Sequence, residues 1–526
     1  MDSNQHLFWP EKIAKEVIKK FNMDKYVVMT GTSISGDPHI GNANDVIRGY
    51  FIKVALELLG KKSELVWVAD DMDPLRSVPE GLPKGLDKYL GIPVCNVPDF
   101  FGCHKTFTIH YEEKFLNQLE KLFIKPKAFF GIEMYKNGMY NETIKISMEK
   151  REEIMKILNK YRTNPLPKDW YPIDVVCENC GKISTTKILE YDNMNFSVKY
   201  ICEKVEKILH KKYKVSGCDY IGTTSIFNGN CKLTWRVEWP ARWSFFKVTC
   251  EPFGKEHAAA GGSWDTAKEI VKIFNWEPPY PVIYEHFLVE GQKMSKSKGN
   301  IITIDDILNF LLPEHIRYWM VQGKLTIAKD IRLASMVPHL FNEFDKAKKI
   351  YLGLETTNDK RKDNNYKKAY LFATFDIKES ENVFNVSFET FLELVKVSPE
   401  SNEVEFLKKR LKKLNYDFDE NELEKRIKLA KNYLEKIIGN EKIEKIEIDE
   451  KTKSYLKKLI NIIKDSENDD LLQQKIFEIA NEYGDVKNFF SNIYKILFGK
   501  EQGPKLAKYI FIAGKENIIE KLKKFL

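Results

Sequence analysis

No run in this 526-residue chain is long and apolar enough to span a bilayer. The opening stretch, MDSNQHLFWPEK, lacks the apolar core of a secretory leader. A cytoplasmic address and no membrane partner are expected. Cysteine is scarce: eight in 526 residues argue against a disulfide framework and leave reduced thiols or metal ligands. No internal repeat and no long Gly/Ser-rich or Pro-rich linker is present, which argues against solenoids and tethered modules. The Gly-rich turn near residue 36 lacks the spacing of a P-loop and of a dinucleotide fingerprint. Charge is not lopsided either. A formal net of +8 permits a polyanionic partner without demanding one. Residues 331–526 carry about +4 of it, so the excess is not concentrated there.

What is present suits a soluble protein of about two to four domains, with 43% hydrophobic and 30% charged residues. The organising stretch is 30–42, TGTSISGDPHIGN. It follows the apolar run Tyr26-Val27-Val28-Met29 and precedes a helical pattern over 43–59. Strand, Gly-rich turn and helix make the local architecture of a nucleotide site at the first turn of an α/β sheet. Pro38-His39-Ile40-Gly41-Asn42 stands at the helix start, where free backbone N–H groups attract phosphate and an imidazole can donate a further hydrogen bond. The plain alternative is a turn with an N-cap. Before it, 10–21 reads as an amphipathic helix with proline in its first turn. After it, Gly60 reads as a C-cap and 63–69 as a second strand. Asp70-Asp71-Met72-Asp73 ends that strand, either facing the pocket or forming a solvated turn.

Asp99, Cys103, His104 and His110 place four zinc-type donors within twelve residues; the alternative is a polar helix start. Residues 127–132 read as a strand and 141–161 as a helix. Cys177-Glu-Asn-Cys180-Gly is half of a zinc ribbon. Cys202 and Cys218, sixteen positions apart, are candidates for the other half, with EKVEKILHKKYKVSG as an insertion between them and Cys231 as a substitute. Cys95 and Cys250 read as small core residues. Residues 232–239 read as a strand before WPARW, with at least one of Trp235, Trp239 and Trp243 a core aromatic by default. In 251–265, EPFGKEHAAAGGSWD, His257 and Asp265 suit a site wall, with Gly262 admitting close approach of a ligand. Residues 283–289 read as a last strand, before the loop Lys293-Met294-Ser295-Lys296-Ser297-Lys298-Gly299-Asn300. Helical patterns follow over 307–312 and 314–321, and 334–526 reads almost throughout as Lys/Glu-rich amphipathic helix. The polar 360s and 440s read as loops. Such a helical region could serve only for oligomerisation or as a scaffold.

PHIGN and KMSKS, about 250 residues apart in one α/β chain, resemble the HIGH and KMSKS motifs of class I aminoacyl-tRNA synthetases. The string DDMDPLRSVP at 70–79 resembles a segment of the archaeal-type class I lysyl-tRNA synthetases. The resemblance spans nearly the whole chain and is most specific between 26 and 300. It departs from many class I enzymes at Asn42, where they carry the second histidine of HIGH; asparagine can still donate a hydrogen bond. It departs again in the wide spacing of Cys202 and Cys218.

The resemblance implies an α/β fold. A Rossmann-type catalytic domain would be split into 1–94 and 231–334 around a zinc-containing insertion at 95–230, followed by an all-α anticodon-binding domain at 335–526. It implies a lysine–tRNA ligase that activates L-lysine with ATP and transfers it to the terminal adenosine of tRNA(Lys), by family rule at the 2′-hydroxyl. His39, Lys293 and Lys296 would be the catalytic groups. ATP would meet Ser33, Pro38, His39, Gly41, Asn42, Lys293, Met294, Ser295, Lys296 and Ser297, with Mg²⁺ sharing the phosphate charge. Lysine would meet Gly31, Ser33, Trp235, His257 and Tyr284. Two Zn²⁺ sites would use Asp99, Cys103, His104 and His110, and Cys177, Cys180, Cys202 and Cys218. A monomer is favoured. The rivals are a glutamyl-tRNA synthetase, a small-molecule nucleotidyltransferase and a non-catalytic RNA-binding paralogue. DDMDPLR, the 99–110 constellation and EPFGKEHAAAGGS favour lysine, and intact His39, Lys293 and Lys296 speak against a non-catalytic role.

Overall fold

The apolar run after Lys25 becomes β1 (Lys25–Thr32), the middle strand of a five-stranded sheet. The computed structural model describes residues 8–33, 36–78, 85–210, 213–294, 300–378, 380–439, 448–499, 501, 503 and 505–526. The sheet runs Tyr280–Tyr284, Cys250–Gly254, β1, β2 (Lys62–Ala69), β3 (Lys127–Phe130), and every pairing is parallel. β1 and β2 stay in register from Lys25↔Lys62 to Thr32↔Ala69. Residues 26–30 are buried in succession, the pattern of a strand covered on both faces. α1 (Trp9–Phe21) starts on Pro10. α2 (Asn44–Leu58) is buried nearly all round, as befits a helix set into the core. Gly60 follows it at φ +74°, a left-handed turn that glycine enters without strain.

The order of strands reverses at β1: the chain lays β2 and β3 on one side, and the two later strands on the other. The crevice outside the carboxyl ends of β1 and Cys250–Gly254 is therefore the switch point where ligands of open α/β sheets bind.

Several elements differ from expectation. The stretch 232–239 is not a strand. Pairing stops at Leu233, and Trp235–Phe246 is a helix that runs through Pro240. Aromatic enrichment suggests a strand, but Trp235, Trp239 and Trp243 recur every fourth residue. That spacing stacks them along one helix face, with centroids 5.7 and 4.9 Å apart. The 127–132 strand ends at Phe130, because Asp71 Oδ1 accepts the Ile132 N–H at 2.7 Å and anchors a new helix, Gly131–Lys136. The 141–161 helix is two, Asn141–Glu149 and Arg151–Asn159, broken at Lys150. The 283–289 strand divides between sheets. Tyr280–Tyr284 closes the main sheet, while Phe287–Val289 pairs with Gln292–Lys293 and with Lys329–Ile331. The expected helices 307–312 and 314–321 are Ile304–Leu308 and Pro313–Val321.

The chain divides into two compact units: residues 1–307, 316–331 and 371–377, and residues 308–315, 332–370 and 378–526. Among its described residues the second unit is helical. A core built from Leu456, Ile476, Ile493, Ile510 and Leu522 joins its last five helices. The 360s are helical rather than a loop: within Lys360–Thr374, Ala369, Tyr370, Phe372 and Ala373 are buried, and the charged residues supply the wet face. The 440s lie mostly outside the described residues. No helix of the described residues is long and apolar enough to cross a membrane.

Candidate active site

At the switch point lies a cavity of about 310 Å³. It is lined by Gly31 and Ser33 from the end of β1, and by His39, Gly41 and Asn42 from the following turn. Trp235 and Trp239 come from the tryptophan helix, His257 from the segment after Cys250–Gly254, and Tyr284 from the edge strand. Lys293 and Met294 complete it. All five residues expected around lysine thus meet in one space, together with six of the ten expected around ATP. Pro38 is buried in the turn and does not line the cavity. Ser295, Lys296 and Ser297 lie outside the described residues.

The turn is held by its own polar groups. The His39 backbone N–H donates to Asn42 Oδ1 at 3.0 Å, and the Asn42 N–H donates to the His39 carbonyl at 2.8 Å. With Oδ1 engaged as an acceptor, the Asn42 amide keeps Nδ2 as a donor for a ligand. A Cβ on Gly41 would meet the His39 ring at 2.8 Å and Met294 Cε at 3.2 Å, so glycine lets both side chains close over the turn. A Cβ on Gly31 would make only ordinary contacts, from 3.5 Å outward. Its bare backbone serves the cavity rather than the packing. The Ile40 N–H bonds the Ile302 carbonyl at 3.0 Å, and Asn300 Nδ2 donates to the Lys293 carbonyl at 3.2 Å, tying both ends of the signature loop. Lys293 Nζ sits 3.1 Å from His286 Nε2, which lies 2.9 Å from Glu256 Oε1.

Charge is dense beneath one wall. Arg242, buried on the tryptophan helix, pairs with Asp70 at 2.6 Å and with Glu238 at 2.9 Å, and donates to Tyr140 Oη at 2.8 Å. Lys232 bridges Glu238 and Asp73. Asp70 and Asp73 line a second cavity of about 790 Å³, which shares Gly31, Ser33, Trp235 and His257 with the first. The acidic cluster therefore splits. Asp70 and Asp73 face the pocket, whereas Asp71 anchors a helix and Met72 enters the core. Burial against Trp235, Trp239 and Phe253 lowers the His257 pKa and favours its neutral ring. Gly262 serves the backbone instead of a ligand: a Cβ there would collide with the His257 carbonyl oxygen at 2.4 Å. Asp265 accepts the Gly261 N–H at 3.0 Å and pairs with Lys268. A strand reading of 232–239 hides Arg242 and Glu238, whose i,i+4 spacing is the signal a helix would give.

Two donor clusters assemble as expected, each with its ligand atoms within 4.8 Å of one another. Cys177 Sγ lies 3.7 Å from Cys218 Sγ, and Cys180 Sγ 3.6 Å from Cys202 Sγ. A tetrahedron with Zn–S bonds of about 2.3 Å has edges of about 3.8 Å, so the four thiols fit. Sixteen residues of separation are closed by a hairpin, Lys207–His210 with Tyr213–Val215. Its base is sealed by Gly217 N–H to Glu203 O at 2.8 Å and Asp219 N–H to Cys202 O at 2.9 Å. Cys231 stands apart, buried on its own strand, and Cys95 and Cys250 are core residues. In the other cluster Cys103 Sγ lies 3.4 Å from Asp99 Oδ2, 3.0 Å from His104 Nδ1 and 3.1 Å from His110 Nδ1. These edges are somewhat tighter than the ~3.5 Å of a mixed zinc tetrahedron. His104 Nε2 meets Glu113 at 3.0 Å, the outer carboxylate that commonly orients a metal-ligating histidine. The helix behind this cluster begins only at Phe107.

A parallel sheet whose switch point gathers a Gly-rich turn carrying His39 and, from a later segment, Lys293 is the arrangement of a class I tRNA synthetase. The family model described as "tRNA synthetases class I (K)" matches residues 7–375, and the chain belongs to that family. A lysine–tRNA ligase of Methanosphaera stadtmanae is 33% identical over 539 residues, covering 98% of this chain and 99% of its own. One of Methanocaldococcus jannaschii is 34% identical over 544 residues, covering 99% and 100%. One of Pyrococcus horikoshii is 32% identical over 538 residues, covering 98% and 99%.

Proposed function

We propose that this chain is a lysine–tRNA ligase. It activates L-lysine with ATP to lysyl-adenylate and pyrophosphate, then transfers the lysyl group to the 3′-terminal adenosine of a lysine tRNA. The supporting observation is the single cavity shared by His39, Asn42, Lys293 and the aromatic wall of Trp235, His257 and Tyr284. In the first step a lysine carboxylate oxygen attacks the α-phosphorus and the bond to pyrophosphate breaks. Such chemistry asks for position and charge stabilisation more than covalent help. His39 and the Asn42 amide donate hydrogen bonds to phosphate oxygens as charge builds, and Lys293 and Lys296 close over the β- and γ-phosphates. A closing loop reserves full complementarity for the transition state. In the second step a hydroxyl of the terminal ribose attacks the adenylate carbonyl and AMP leaves.

Mg²⁺, bound with the nucleotide, would share the phosphate charge. Zn²⁺ suits both donor sets. Held by Cys177, Cys180, Cys202 and Cys218 it would pin the hairpin to the knuckle, and held by Asp99, Cys103, His104 and His110 it would brace the start of α3 (Phe107–Lys121). In this reading the catalytic halves are 1–94 and 231–334, the insertion is 95–230, and 335–526 binds the anticodon. The enzyme works as a monomer in the cytoplasm. ATP–pyrophosphate exchange with each amino acid in turn, with and without tRNA, tests the activity. Exchange that depends on lysine is the expected result; dependence on glutamate, or none on any amino acid, refutes it.

A further inference from the structure

A pocket for lysine must seat a four-carbon stem and supply a counter-charge to the ammonium at its end. Five carboxylates line the two cavities: Asp45, Asp70, Asp73, Glu251 and Glu256. Three of them have an ionic partner. Asp70 pairs with Arg242 at 2.6 Å and Asp73 with Lys232 at 3.2 Å. Glu256 pairs with His286 at 2.9 Å and is half-exposed. Among the described residues Asp45 lies beside Tyr284 and Arg48 without an ion pair, and burial raises its carboxyl to about 7. It sits at the foot of α2, where no described indole donor fixes its oxygens.

Glu251 differs. Its residue is 3% exposed, yet it contributes to the wall of the first cavity. Oε1 accepts the Trp239 indole N–H at 2.7 Å, and Oε2 accepts that of Trp243. These donors fix both oxygens in place and bring no net charge. Among the described residues it forms no ion pair, and the Arg242 charge that reaches it is already shared by Asp70 and Glu238. Burial pushes its carboxyl up to about 8. Above it the rings of Trp235, Trp239, Phe253 and His257 pack with centroids 5.4–6.4 Å apart. An aromatic sleeve ending in a fixed, unmatched carboxylate is the chemistry of an ammonium site.

We propose that Glu251 is the counter-charge for the ε-ammonium of the lysine substrate, with Trp235, Trp239 and Phe253 as the sleeve around its stem. The assignment rests on the lysine-ligase reading. It makes Glu251 a specificity residue: only a cationic side chain can draw its proton off and form the ion pair, which an uncharged side chain of equal length forgoes.

The test is ATP–pyrophosphate exchange by the full chain, wild type and variants, with L-lysine and L-homolysine as substrates and L-norleucine as a competitive inhibitor. Lysine-dependent exchange by the wild type is read first; its absence counts against the activity and not against Glu251 alone. In Glu251→Gln the lysine KM should rise by about 10²-fold or more, while the norleucine inhibition constant moves less than about threefold. Equal losses for lysine and norleucine, or an unchanged lysine KM, overturn the assignment. Gln turns an amide toward an indole donor and could disturb folding, so Glu251→Asp provides the second arm. It withdraws the carboxylate by one methylene and should shift the homolysine-to-lysine ratio of kcat/KM toward homolysine by about tenfold. A ratio unchanged from wild type overturns the proposal as well.

Discussion

Asn42 shows how one side chain carries both structure and chemistry. Its side-chain Oδ1 closes the turn on the His39 N–H, which leaves Nδ2 as a donor at the cavity. His39→Ala should lower the rate of lysyl-adenylate formation by roughly 10²–10³-fold, with far-UV circular dichroism unchanged, and Lys296→Ala should do the same. Wild-type rates in both would place the chemistry elsewhere. That His39, Gly41 and Asn42 would share a cavity was legible because a turn at a switch point carries its residues at fixed offsets from a strand. Gly262 was misread because a glycine that spares a carbonyl and a glycine that admits a ligand look alike in a string of letters. Glu251 was not legible at all: its meaning lies in which cations are already taken by Asp70, Asp73 and Glu238, and pairing of that kind exists only once the chain is folded.

Among the elements, the tryptophan helix and the split zinc knuckle illustrate two different failures of local reading. Residues 232–239 read as a strand because aromatic residues favour sheets, yet Trp235–Phe246 is a helix that includes Pro240. Tertiary burial overrode both, since only a helix brings Trp239 and Trp243 onto one carboxylate and Arg242 back onto Glu238. The knuckle was legible in its ligands. Its insertion was legible only as an interruption, because a hairpin whose two ends meet adds length without adding distance between Cys202 and Cys218. Protein purified without chelator should carry two zinc ions per chain by elemental analysis. Cys177→Ser should leave one and Cys103→Ala should leave the other. Two ions retained by either variant would mean that these donors are not the ligands, and no zinc in the wild type would dismiss both sites.

For the whole molecule, the signature motifs end near residue 300, yet about 225 residues follow. That is more than a catalytic core needs as a cap. Their described part builds a helical unit with its own apolar centre, so it can present a surface independently of the sheet. Its net charge of about +4 is small for a segment that only grips phosphates. Discrimination should then come from bases, and the anticodon offers bases that are single-stranded and free to be splayed out and stacked. Replacing the central uridine of a lysine-tRNA transcript should raise the aminoacylation barrier by about 1–3 kcal/mol, the range for one lost base contact. The salt dependence of binding should stay shallow. The transcript is the right place for the change, because removing residues 335–526 from the protein would leave only Leu333 and Ala334 of the helix Leu333–Tyr351. Transcripts altered at that position and charged with lysine as well as the parent would refute anticodon reading by the helical unit.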